Sequence, residues 1–243
     1  MATKFATELA IKMTTKFATE LDSIKSVFAD DLFTIECTDN TSHKVPYNNY
    51  TIKETRTTIR ICCLNIFYQD SKTIEIIAIN KGKNISGTEI MKRIDQIAIN
   101  ESINEIQLED ASDILVCKLN KKYDIPLGLL KILISGQTWY NQLGFYSKNQ
   151  EIIDRHNYLV IEKTLEDFLT FYADDNIYGY IQDPFLEIWL KRPTKEFFIY
   201  IKNELKNNIV DIPLQLILQL FKYIYQNKLV MFAKNMRCYK KIV

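Results

Sequence analysis

The segment KGKNISGT, residues 81–88, carries the residue types that hold a phosphate. Lys81 and Lys83 supply positive charge, and Gly82 and Gly87 allow the backbone to approach a ligand closely. A helix starting there would add unpaired N–H groups and a positive dipole end. Lys81, Gly82, Lys83, Asn84, Ile85, Ser86, Gly87 and Thr88 are therefore candidate anion-binding residues. An ordinary strand-to-helix loop with two glycines is the other reading of the same segment. SGQTWYNQLGFYS (135–147) is the second concentration, with two of the chain's 6 glycines. Gly144 reads as a helix stop, and Tyr140, four residues earlier, is either packing or chemistry. His156 lies beside Asp154 and Arg155 in DRHNY, but no Ser or Cys nucleophile elbow accompanies it, so it reads as a surface or satisfied histidine. With only His43 and His156, no zinc site is expected.

Elements that would position these residues can be traced outward from the loop. TIRICCLNIFY (58–68) and TIEIIAI (73–79) are β-prone runs joined by a short polar connection, which predicts an antiparallel hairpin. After the loop, Ile90, Met91, Ile94, Ile97 and Ala98 fall on one helical face, with Ser86 or Thr88 as cap. NEIQLE (104–109) alternates as a strand. This order predicts a β-α-β unit with strands 73–79 and 104–109 parallel. LFTIEC (32–37) reads as a strand and TDNTSHKVPYNNY (38–50) as a polar loop. DILVCKL (113–119) reads as a further strand, 126–144 as one helix ending at Gly144, and 145–163 as either helix or strand. From Thr164 onward the pattern is helical, with Phe168, Phe171, Trp189, Phe197, Phe198 and Phe221 as core. NIYGYIQD (176–183) reads as a linker, or as aromatics that stack on a ligand.

The order of these elements, with YNQLGF (140–145) after them, resembles the GNAT acyltransferase superfamily over roughly residues 58–163. In that family a (Q/R)xxGx(G/A) loop grips the pyrophosphate of acetyl-CoA, and a later motif resembles FYEKLGF. Tyr140, Leu143, Gly144 and Phe145 match the later motif; Lys81, Asn84 and Ser86 stand at the loop's Gln/Arg, Gly and Gly/Ala positions. The resemblance implies an α/β (α+β) fold, with a mixed central sheet and flanking helices, and acetyl-CoA as cosubstrate held by residues 81–88. It implies acyl transfer to a primary amine on a small molecule or protein, without metal. Tyr140 would protonate the departing thiolate, and Glu109 or Glu75 would be the base. Two departures support a second reading, a catalytically degenerate GNAT-like binding or structural protein. Asn84 replaces a glycine, and an extra strand-like segment and a longer helix separate Leu108 from Tyr140.

At 243 residues, 47% hydrophobic and 25% charged, the chain is long and apolar enough to bury a core. Its net charge of +1, with both signs interspersed, gives no basic face for nucleic acid. TKFATEL occurs at 3–9 and again at 15–21, a duplication inside a terminal amphipathic helix. The expected organisation is that helix over 1–29, a GNAT-like α/β domain over 30–163, and a helical subdomain over 164–243. No stretch is apolar and long enough to span a bilayer, and helix 212–227 is a candidate homodimer face. Five cysteines without a CxxC read as reduced thiols in a cytoplasmic protein. The A/T-biased coding style also resembles that of proteins from large DNA viruses.

Overall fold

The computed structural model describes residues 19–28, 31–39, 47–55, 59–67, 72–80, 82–110, 113–118, 121–170, 182–207, 213–232 and 236–242. The fold is mixed α/β and divides into two compact units, 1–109 with 239–243, and 110–238.

The first unit is built on a six-stranded mixed sheet, whose last strand crosses the unit boundary between Cys238 and Tyr239. Helix α1 covers residues 19–27. Strands β1 (Phe33–Asp39), β2 (Tyr47–Glu54), β3 (Arg60–Phe67) and β4 (Thr73–Ile79) follow as an antiparallel meander. Helix α2 (Gly87–Asn100) then leads to β5 (Glu105–Asp110), which runs parallel to β4 as the βαβ pattern predicts. Ser86 caps α2, its Oγ accepting the Glu89 N–H at 3.1 Å, and Ile90, Met91, Ile94, Ile97 and Ala98 are the buried face. The sixth strand is the last in sequence, Met236–Lys241, and it closes the order β1-β2-β3-β4-β5-β8. This strand lies within the expected helical subdomain 164–243. Its alternation is that of a strand, with Cys238 buried and Arg237 exposed.

β2 is a second correction, because its start lies inside the expected polar loop 38–50. The strand buries every second residue: Asn48, Tyr50, Ile52 and Glu54. Two of those four are polar, which weakens the apolar alternation that marks a half-buried strand. On β3 the adjacent Cys62 and Cys63 fall on opposite faces, as strand geometry requires. Cys62 pairs with Ile52 on the buried side, and Cys63 lies next to Asn49 and Thr51 on the other.

The second unit opens with a two-stranded antiparallel hairpin, β6 (Asp113–Lys118) and β7 (Lys121–Pro126). The region read as one helix over 126–144 is two. Helix α3 (Leu127–Ser135) stops at Gly136, which adopts φ 77° and donates to Ile132 O at 2.8 Å. Thr138 then caps α4 (Trp139–Gln142) in a reciprocal box with Asn141, and Gly144 at φ 86° ends it. An αL glycine at Gly136 stops a helix as readily as one at Gly144, and Thr138 supplies the restart. The ambiguous stretch 145–163 is helical as α5 (Gln150–Ile161).

Helices α6 (Leu165–Thr170), α7 (Pro184–Glu187), α8 (Thr194–Asn207) and α9 (Leu214–Gln226) follow among the described residues. Phe168, Phe197, Phe198 and Phe221 form its core with Trp189 packed against them, while Phe171 lies outside the described residues. The rings of Phe197 and Phe198 stand edge-on at 5.0 Å, and Phe198 lies 5.7 Å from Phe221. The apolar face of α9, including Ile217, Leu220 and Ile224, is spent on that same core. Among the described residues no helix is long and apolar enough to cross a membrane.

Candidate functional site

The C-terminal ends of β4 and β5 are where the sequence places most of the chemistry. β4 and β5 pair from Thr73–Glu105 to Ile76–Leu108. Beyond Ile76 the partners of β4 are on β3 alone, and the β3 register shifts there: Leu64 faces Ile76 while Cys63 faces Ala78. Ile77 is the extra residue of that bulge and is 53% exposed. The loop to α2 leaves from this end of β4.

Lys81 lies outside the described residues. In the rest of the loop Gly82 and Ile85 are buried, and Lys83, Asn84, Ser86 and Thr88 are exposed. The loop closes over a side chain that sequence reasoning missed. Glu54, at the end of β2, is 1% exposed, and its Oε1 accepts the Asn84 N–H at 3.0 Å. A Cβ built on Gly82 would overlap that same oxygen and would lie 3.0 Å from Ile85 Cγ2. Gly82 is thus required by close approach to a carboxylate of the chain itself. The readable signal was the alternation Tyr50–Ile52–Glu54, which puts Glu54 on the buried face once β2 is recognised.

The amide of Asn84, which the resemblance sets at the first loop glycine, is already donated to the Glu54 carboxyl group.

Glu75 is also committed. Across β2, β3 and β4, Asn49 Nδ2 donates to Asn65 Oδ1 at 2.8 Å, and Asn65 Nδ2 donates to Glu75 Oε2 at 3.1 Å. Glu109 is exposed near the end of β5. The first unit therefore holds the loop, Glu75 and Glu109, while Tyr140 belongs to the second.

Tyr140 is 8% exposed, with its ring 4.9 Å from Trp139 and 6.1 Å from Phe145. Its carbonyl accepts from Leu143 and Phe145, which ties the aromatic turn together. The Asp154–His156 pairing is not a dyad. Gln137 and Gln150 each donate to one Asp154 oxygen at 2.7 Å, and His156 Nε2 is buried without a hydrogen-bond partner. Residues 176–181 of NIYGYIQD lie outside the described residues, and Asp183 caps α7. Among the described residues no group of three His, Cys, Asp or Glu could hold a metal.

A second buried carboxylate also escaped the sequence reading. Glu20 on α1 is 2% exposed and accepts from Tyr50 Oη at 3.2 Å and Asn48 Nδ2 at 3.4 Å. It anchors α1 to β2. Burial, and then the Glu20 charge, hold the Tyr50 phenol well above its ordinary pKa. The chain matches no protein-family model and no curated protein sequence.

Proposed function

We propose that this chain is a GNAT-like binding or structural protein that does not use acyl-CoA. The observation that carries this reading is the Glu54 carboxylate under the β4–α2 loop, bound by the Asn84 amide. The buried setting of Tyr140 and the use of Glu75 in a cross-strand ladder agree with it. The sheet order and the parallel β4–β5 pair support the GNAT-like part of the reading.

The competing reading, acetyl transfer to a primary amine, is favoured by one observation. β4–β5 pairing stops at Ile76–Leu108, beside an exposed bulge, where the transferase reading would seat the ligand arm. Thermal melting with acetyl-CoA separates the two. A ligand that binds the native state raises the melting point by mass action, by about 2.7 kcal/mol of stability at a hundredfold excess over Kd. The expected result is an unchanged melting temperature at millimolar acetyl-CoA. A rise that grows with concentration would restore the transferase.

A further inference from the structure

We infer that the β4–α2 loop is an anion cradle whose ligand is built into the chain, the carboxylate of Glu54. The inference deepens the non-catalytic reading above and rests on it. Three observations converge on one oxygen. Glu54 is 1% exposed, and a carboxylate taken out of water needs strong hydrogen bonds in return. The Asn84 N–H gives Oε1 one such bond at 3.0 Å, and charge-assisted bonds of this kind are the strong ones. Gly82 leaves Oε1 the room that any Cβ would take.

The position of Glu54 is fixed from its own side as well. The β2–β3 register shifts between Ile52 and Lys53, and the Glu54 N–H donates to Ile59 O at 2.9 Å. The carboxylate is thereby aimed at the loop. Downstream, Ser86 Oγ takes the Glu89 N–H, so the first turn of α2 caps itself while the Asn84 amide turns towards β2. The loop thus has the wiring of an anion site, and the sheet fills it. The class of ligand it would accept once vacated is a small carboxylate.

Chemical rescue in the full chain tests this. Glu54→Gly removes the carboxylate and leaves a space of its size. Expected is a melting temperature below that of the wild type, which sodium formate raises by several degrees. Sodium chloride at equal ionic strength should not do so, and formate should not move the wild type. Formate that shifts both proteins equally, or neither, overturns the inference. Glu54→Gln keeps the shape without the charge and covers the case in which the glycine variant fails to fold. It should melt below the wild type and lose hydrogen-exchange protection at the Asn84 amide. A glutamine variant as stable and as protected as the wild type would also overturn it. A wild-type shift with acetyl-CoA would sink the non-catalytic reading instead, and that result is independent of formate rescue.

Discussion

Glu54 and Tyr140 show how a side chain's surroundings, more than its type, decide what it can do. Tyr140 was the most reactive-looking residue of its segment, and its ring lies between Trp139 and Phe145. Truncation should therefore register as stability. Tyr140→Ala should cost about 3–5 kcal/mol in urea unfolding, the usual range for deleting a buried aromatic ring. A loss below about 1 kcal/mol would show that the ring is not part of the packing. At Gly82 a methyl group meets Glu54 Oε1 and Ile85, neither of which is a free surface chain. Gly82→Ala should cost about 1–3 kcal/mol, and denaturant midpoints with an unchanged slope would measure it. The loop's glycines were legible in the sequence as a requirement for close approach. The partner was not, because an internal carboxylate and an external phosphate ask the same thing of a glycine.

At the level of elements, the sequence was informative wherever the buried face was uniformly apolar. α2 has the face that its spacing predicts, and β3, β4 and β5 fall within a residue or two of their expected limits. β2 was missed because it buries Asn48 and Glu54, and the burial of Tyr50 between them has a cost in alkali. On its buried face Tyr50 neighbours the β3 residues Leu64 and Cys62. Burial, with the Cys63 thiol next, raises the Cys62 pKa as burial and Glu20 raise that of Tyr50. Both groups keep their protons in the folded chain at pH values where the unfolded chain has lost them. Their contribution is fully present below the ordinary values of 9.0 for Cys62 and 10.0 for Tyr50, and it is lost as pH rises through the raised ones. Stability should therefore fall by up to about 1.4 kcal/mol per pH unit per group above those values. Urea midpoints at about pH 8 and about pH 11 test this. Cys62→Val should flatten the dependence, and an equally steep fall in that variant would rule out the thiol.

On the scale of the whole molecule, the feature least legible in the sequence is the return of Met236–Lys241 to the sheet. MRCYKK is short and basic, and nothing local says that its partner is β5. Pairing at such separation is set by the open edge waiting for it. Lys240 bonds to Asp95 on α2 at 2.7 Å, and the Ile242 N–H donates to Asn104 O at 3.0 Å. A chain truncated after residue 235 should melt lower than the full chain, and its β5 amides should exchange faster. Unchanged exchange across Glu105–Asp110 would show that the strand is not needed to seal that edge. The duplicated TKFATEL is legible as a repeat, yet its copies are not equivalent. Moved back by twelve positions, buried Ile24 and Phe28 become Lys12 and Lys16, so these buried apolar residues follow the second copy and have no counterpart after the first.

The return of β8 also orders events at the ribosome. Synthesis delivers β1 to β5 first, then residues 111–235, and only then the strand that covers β5. Until then the β5 edge presents unpaired N–H and C=O groups, the template on which chains join edge to edge. Nascent copies on one message are crowded while that edge is open. The length of chain between Asp110 and Met236 sets how long that edge waits for its partner.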